Sequence, residues 1–368
     1  MRDRISTNLR NAGSIFRMSA GPHAVEILDC TIRDGSYVID GAWTQDDVKN
    51  IVRELSIAGF RYIEVGNGIG LGAHRKKVSS ICTDAEYVSA AVANKGKAKI
   101  GVFFIPGTGN LQDIETFRAN GGDFIRVGTN VSDSDDAEEY IQFAKGLGLE
   151  VGYNFMKSYT VSPYELCLRA TRVERFGADC ISLVDSAGGM VPREVAQYIA
   201  RMKECLATKV GFHGHNNLLM ANANSLAAVE NGADVVDTTL MGMGRGAGNA
   251  QSETMLVILR KAGFPIEIDA LRVSKISEKY ILPKTGKLKG SDGLELVLGY
   301  ALFHDSYLKL VDTYAEKHKV DYQELIVEVS KINKENPSEN LIVTVAQQLA
   351  KRQKVRIFFP KFYHKDIR

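Results

Sequence analysis

No run of eighteen apolar residues occurs in the 368-residue chain, so the sequence offers no helical membrane span. Cysteine is scarce. There are five, Cys30, Cys82, Cys167, Cys180 and Cys205, odd in number, scattered, with no Cys-x-x-Cys. That usage argues against a secreted disulfide framework and fits buried, inert thiols in a reducing cytoplasm. An excess of either charge is lacking too. Forty-six basic residues face forty-four acidic ones, a formal net charge of +2. Nothing global therefore points to nucleic acid as a partner. No low-complexity segment occurs. Residues 1–24 carry Arg2, Arg4, Arg10 and Arg17 but no continuous apolar stretch, and Asp3 is acidic. They read as a loose or partner-packed leader rather than a targeting signal.

What is present is ordinary for a soluble globular protein: 45% hydrophobic and 24% charged residues. The length exceeds that of a usual single domain, so one large domain and a smaller one are expected. A chain this long buries a sizeable core without disulfide staples.

From about residue 25 the chain alternates regularly. β-rich runs fall at 25–29, 61–65, 99–104, 123–127, 150–155, 180–184, 209–213 and 234–239. Amphipathic stretches lie between them, such as 45–58 with Val48, Ile51, Val52 and Leu55, and 192–202 with Val195, Ile199 and Met202. Thr44 and Ser162 stand where helix N-caps belong, and Pro163 and Pro192 suit first-turn positions. Eight strand–helix units over roughly 240 residues predict a (β/α)8 barrel in preference to a doubly wound open sheet. The barrel should occupy residues 25–265. Residues 266–352 read as helical, with stretches at 294–314, 322–332 and 340–352, and predict a small all-α second domain. The last residues, 353–368, are basic and aromatic. A tail packed on its own or a partner subunit is expected, with a membrane or nucleic-acid contact as the alternative.

In such a barrel the reacting groups collect at the C-terminal ends of the strands. Arg33, Asp34 and Tyr37 follow the first run, and Glu64 ends the second. Arg126 and Lys157 accompany the fourth and fifth, and Asp185 and Ser186 follow the sixth. The seventh leads to His213-Gly214-His215. Residues i and i+2 of a strand point to one side. Two imidazoles spaced by a glycine thus offer a paired metal site, where the ordinary alternative is two hydrogen-bonded histidines. Asp34 supplies a carboxylate, unless it caps a turn. Two imidazoles and a carboxylate suit a divalent ion that also binds an oxygen substrate: Mn2+ first, with Mg2+, Zn2+, Co2+ or Fe2+ as alternatives. Arg33, which holds its proton, suits an enolate oxygen. The glycine series over 242–248 follows the eighth strand, so it is no Rossmann loop. It is either an anion site at a helix start or a plain tight turn.

Five segments together resemble the DRE-TIM metallolyases, the superfamily of pyruvate-dependent aldolases and acyl transferases. They are Asp29-Cys30-Thr31-Ile32-Arg33-Asp34-Gly35, Asp185-Ser186-Ala187-Gly188, His213-Gly214-His215-Asn216-Asn217, Ala223-Asn224-Ser225 and Gly246-Ala247-Gly248-Asn249-Ala250. Within the superfamily the glycine series and Leu298-Gly299-Tyr300-Ala301 are most similar to 4-hydroxy-2-oxovalerate aldolases. The resemblance implies a carbon–carbon lyase in which Asp34, His213 and His215 bind the metal. Asn249 would be a further ligand or a support to them. Arg33 would stabilise the enolate, Ser186 would contact the keto acid, and Tyr300 would lie near the active site or the route between domains. It also implies a small 2-oxo acid substrate, an acylating aldehyde dehydrogenase as partner, and a homo-oligomer.

One position departs from that pattern. The aldolases carry a histidine base two residues after the Arg-Asp-Gly glycine, where this chain has Tyr37. A phenol, with a reference pKa near ~10, is a poor base at neutral pH. Tyr37 acts with the metal and a water, or His304 takes the role, being four residues beyond Tyr300 and so on the same helical face, or the reaction differs. The rival functions are a Claisen-type acyl-CoA/2-oxo acid synthase and a catalytically weak scaffold subunit. Gly244-Arg245-Gly246 lacks the glutamate those synthases carry.

Overall fold

A computed structural model describes residues 23–76, 78–286, 290 and 293–352. The expected leader and the basic tail at 353–368 lie essentially outside these residues.

Eight parallel strands close into a barrel in sequence order. They are β1 (Glu26–Asp29), β2 (Tyr62–Val65), β3 (Lys99–Phe104), β4 (Phe124–Asn130), β5 (Glu150–Met156), β6 (Cys180–Asp185), β7 (Lys209–Gly214) and β8 (Val235–Thr238). Pairing of Glu26 with Val235 and of Leu28 with Asp237 closes the ring. A single-turn helix, α1 (Thr31–Asp34), follows β1. The outer layer is α2 (Gln45–Ala58), α3 (Asp84–Val92), α4 (Leu111–Ala119), α5 (Glu138–Gly146), α6 (Pro163–Phe176), α7 (Pro192–Cys205), α8 (Ala221–Glu230) and α9 (Ser252–Lys261). Each strand is too apolar to face water, and each helix covers it with a buried stripe such as Val48, Ile51, Val52 and Leu55 of α2. The predicted caps are formed. Thr44 accepts from Asp47 N and Ser162 from Glu165 N, each in a reciprocal capping box.

Beyond the barrel come α10 (Ala270–Ile276), α11 (Leu282–Thr285), α12 (Gly293–Ala301), α13 (Leu308–His318), α14 (Tyr322–Ile332) and α15 (Glu339–Arg352). The barrel core runs on through Val273, Ile276 and Ile281, so α10 belongs with the barrel rather than with the helical unit. A separate core begins at Leu294 and includes Val311, Leu325, Ile342 and Leu349.

Two expectations are corrected. The stretch 294–314 is two helices, not one. Leu302 turns left-handed at φ 53°, and Phe303 N–H bonds back to the Leu298 carbonyl at 3.0 Å, which terminates α12. His304 therefore does not share a helix with Tyr300. The cysteines are not all free either, since Cys167 of α6 and Cys205 of α7 form a disulfide. No described helix is long and apolar enough to cross a membrane.

Candidate active site and metal centre

At the end of β1 the Asp29 carboxylate accepts from Thr31 N at 3.0 Å and Thr31 Oγ1 at 2.8 Å. This turns the chain abruptly into α1 and lays Arg33 and Asp34 over the barrel mouth, both buried. β7 brings His213 up beside them, with its Nε2 3.5 Å from Asp34 Oδ2. His215 follows with its ring centroid 5.1 Å from that of His213. One donor atom from each of Asp34, His213 and His215 lies within 4.8 Å of the others.

The glycine series folds as a tight loop. Gly242, Gly246 and Gly248 all have positive φ, and a Cβ on Gly248 would stand 2.0 Å from the Gly242 carbonyl oxygen. The loop folds back on β7, pairing Asn249 with His215 in a β-bridge. Asn249 Nδ2 then donates to Asp34 Oδ2 at 2.6 Å.

Charge in the barrel interior is arranged as a chain of ion pairs. Arg33 Nε donates to Glu64 at 2.7 Å, Arg126 grips the same Glu64 at 2.7 and 2.8 Å, and Arg126 Nη1 reaches Asp237 at 2.5 Å. Asp237 in turn holds His213 Nδ1 at 2.8 Å. A carboxylate on Nδ1 fixes that proton and leaves the Nε2 lone pair toward Asp34, the usual support of a metal-ligating histidine. Burial raises the Asp237 carboxyl, but Arg126 and His213 outweigh it and bring it down to about 2. Burial raises the Asp34 carboxyl likewise, and Arg33, both imidazoles and Arg245 hold it well below the carboxylate range. His215 moves down, first by burial and then by Arg245, so it stays neutral.

Asp34, His213 and His215 fit a divalent metal on this chain's own geometry. Two buried polar atoms beside them, His215 Nδ1 and Asn249 Oδ1, have no hydrogen-bond partner among the described residues. A buried orphan of this kind is costly unless something satisfies it. Cys30, His213 and Asp237 also lie close together. Burial pushes the Cys30 thiol far up, so it stays protonated, and Arg126 occupies Asp237. In this cluster Asp237 is held by Arg126 and His213.

The triad opens into a cavity of about 800 Å³ between the barrel mouth and the helical unit. Arg245 crosses this junction. Its guanidinium donates to His304 Nε2 at 2.7 Å and to the Ser186 carbonyl at 3.3 Å, lies 3.4 Å from His215 Nε2, and pairs with Asp305 at 3.0 Å. It also stands 5.9 Å from the centre of the Tyr37 ring. A guanidinium only donates, so His304 Nε2 is the acceptor from Arg245, while its Nδ1 faces the Ser306 backbone N–H at 3.1 Å and the Ser306 hydroxyl at 2.8 Å. Burial, then Arg245 and Lys157, push His304 well down, so it is neutral. Burial pushes the Tyr37 phenol up to about 12, which keeps it protonated. Ser186 lines the cavity, and its Oγ accepts from Lys157 N at 2.9 Å.

Of the residues singled out from sequence, Arg33, Asp34, Tyr37, Ser186, His213, His215 and His304 line this cavity, with Asn249 beneath it. Tyr300 does not. It is 73% exposed on the outer face of α12. Asp237 carried no assigned role, although an acid inside the apolar run of β8 is a signal of its own. Arg245 was hidden in its glycine loop, and Lys157 stood out only as a polar group after a strand.

Comparison with known proteins agrees with the geometry. A family model described as HMGL-like matches residues 24–279. 4-Hydroxy-2-oxovalerate aldolase of Bacillus cereus (strain ATCC 10987 / NRS 248) is 34% identical over 328 residues, 89% of this chain and 96% of its own length. That of Carboxydothermus hydrogenoformans is 35% identical over 331 residues, 90% of this chain and 98% of its own length. Among solved structures, the HMG-CoA lyase of Brucella melitensis superposes with a TM-score of 0.61 at 20% identity, covering 70% of this chain and 97% of its own. The carboxyl transferase domain of Rhizobium etli pyruvate carboxylase, solved with pyruvate and biocytin, gives 0.71 at 13% identity over 91% of this chain and 61% of that one. These two likenesses speak for the fold alone. The matched barrel and near-full-length relatives establish that the chain belongs to the HMGL-like (DRE-TIM) family, as a lyase similar to 4-hydroxy-2-oxovalerate aldolases.

Proposed function

We propose that the chain is a divalent-metal-dependent pyruvate aldolase that cleaves or forms a 4-hydroxy-2-oxo acid. The observation that carries this reading is the buried Asp34, His213 and His215 triad beside Arg33 at the floor of one cavity. Two imidazoles and a carboxylate favour Mn2+, with Mg2+, Co2+ or Zn2+ as substitutes. Bound there, the ion supplies Lewis acidity to the 2-keto oxygen.

The protein's own groups do the rest. Arg33 is locked by Glu64 at 2.7 Å and Asp34 at 3.3 Å, so its charge is in place before negative charge builds on the keto oxygen. His304 Nε2 accepts the 4-hydroxyl proton once that hydroxyl displaces the Arg245 N–H. The C3–C4 bond breaks, its electrons pass into the enolate facing Arg33, an aldehyde leaves, and C3 takes a proton to give pyruvate. Arg245 remains held by Asp305 and the Ser186 carbonyl during that exchange. Tyr37, whose phenol burial keeps protonated, serves in this reading as a donor toward the substrate rather than as the base.

The test is pyruvate release from 4-hydroxy-2-oxopentanoate and its longer homologues, with Mn2+ added and then chelated. Pyruvate that appears with the metal and stops on chelation supports the reading. A protein that binds Mn2+ and releases none from any of them refutes it. Thiol release from acetyl-CoA with a 2-oxo acid would then identify a Claisen-type synthase.

A further inference from the structure

Cleavage as described gives no task to Lys157, which lines the cavity. Lys157 follows β5 and is 5% exposed, and its backbone is left-handed at φ 57°, a conformation that costs a non-glycine residue energy. Its ammonium donates to the Glu335 carbonyl at 2.5 Å and to the Tyr307 hydroxyl at 3.3 Å, and it lies 5.2 Å from the centre of the Tyr307 ring. All three contacts are uncharged. An ammonium has three donors, so one remains over.

Among the described residues, the other cations that line the cavity are matched. Arg33 has Glu64 and Asp34, Arg245 has Asp305, and Lys284 has Asp47 at 2.9 Å. Among the described residues no carboxylate comes within the 4.0 Å of an ion pair with Lys157. Buried charges in proteins are paired, with a partner from the chain or from a ligand. The position is also apt. Lys157 N–H holds Ser186, the Ser186 carbonyl holds Arg245, and Arg245 reaches His215. Lys157 is thus tied to the metal triad by two intervening residues, on the side where the helical unit closes the cavity.

We infer that Lys157 anchors a second anionic group at the far end of the substrate, so that the aldehyde released carries a carboxylate or a phosphate. This rests on the aldolase reading for the identity of the near end, where the triad and Arg33 take the 2-oxo acid. Lys157 is a specificity residue here and not a nucleophile.

Binding of inert 2-oxo acids to the Mn2+-loaded full chain, measured by calorimetry, tests it without turnover. Each anionic ligand is paired with a neutral one of equal carbon count: 2-oxoglutarate with 2-oxopentanoate, 2-oxoadipate with 2-oxohexanoate, 2-oxopimelate with 2-oxoheptanoate. A 2-oxo acid with a terminal phosphate separates the two anion sources. At least one anionic ligand should bind tighter than its neutral match by about 10- to 100-fold, the worth of a charge-assisted hydrogen bond. Lys157→Met should abolish most of that preference and Lys157→Arg should keep much of it. No preference anywhere in the wild-type series overturns the inference, and so does a preference that survives Lys157→Met. Trapping of pyruvate on Lys157 by borohydride would overturn it too. Pyruvate release without an anion preference refutes the anchor and spares the aldolase. An anion preference in a protein that never releases pyruvate does the reverse.

Discussion

Asp237→Asn removes one negative charge from the middle of the buried ion-pair chain and leaves size and shape unchanged. Two consequences can be worked out. His213 loses the carboxylate that fixes its Nδ1 proton at 2.8 Å, so its Nε2 is no longer held ready for a metal. Loss of such support lowers metal affinity by about 10- to 100-fold, or ~1.4–2.7 kcal/mol. Arg126 also loses its ion pair at 2.5 Å but keeps both bonds to Glu64. Breaking a buried pair outright costs about 3–5 kcal/mol, and the retained Glu64 contacts reduce this to ~2–3 kcal/mol. The two effects separate in the assay. Calorimetric titration of metal-stripped protein with Mn2+ reads the first, and urea unfolding in chelator reads the second. Weakened unfolding with Mn2+ affinity held within twofold would refute the reasoning, because Asp237 would then be a core ion pair that does not orient the ligand.

Further expected outcomes concern the proton path and the domain junction. His304→Gln should lower kcat by about 10²- to 10⁴-fold with Mn2+ affinity kept, and Tyr37→Phe by ~10-fold or less, in steady-state pyruvate release. Full turnover in the His304 variant would remove it from the chemistry. Burial depresses the Lys157 ammonium from its ordinary 10.5 to about 8. The cost of that buried charge is therefore complete below pH 8 and disappears as pH rises toward 10.5. Lys157→Met should be more stable than wild type by about 1–3 kcal/mol at pH 7, with the gap closing by pH 10.5 in denaturant titrations. Gly189 has no room for a side chain, since a Cβ there would stand 2.2 Å from the Gly299 carbonyl oxygen. Gly189→Ala should displace α12 and cost about 1–3 kcal/mol, seen as faster proteolysis of the helical unit before the barrel melts. Equal proteolysis rates would show that the contact yields freely.

Much of this molecule is written locally. Strand β3 and helices α2 and α14 have the bounds that residue periodicity and capping signals predict, because a buried strand, an amphipathic stripe and a Thr44 or Ser162 cap are properties of a few adjacent residues. The site is legible for the same reason where its members sit at strand ends. Asp34 follows β1 and His213 lies in the last two residues of β7, so the barrel rule alone gathers them. What sequence leaves open depends on neighbours remote in the chain. Leu302 ends α12 through a left-handed turn that no glycine announces, and this separates His304 from Tyr300. Cys167 and Cys205 meet because α6 and α7 stack, which their spacing does not reveal. The phenol of Tyr37, the imidazole of His304 and the ammonium of Lys157 take their proton affinities from burial and from Arg245, groups that approach them only across the cavity. Residue type and order determined which fold forms and where its chemistry collects. Tertiary structure alone decided which of those groups carry charge, because desolvation and Coulomb interaction depend on distances that no short stretch of sequence contains.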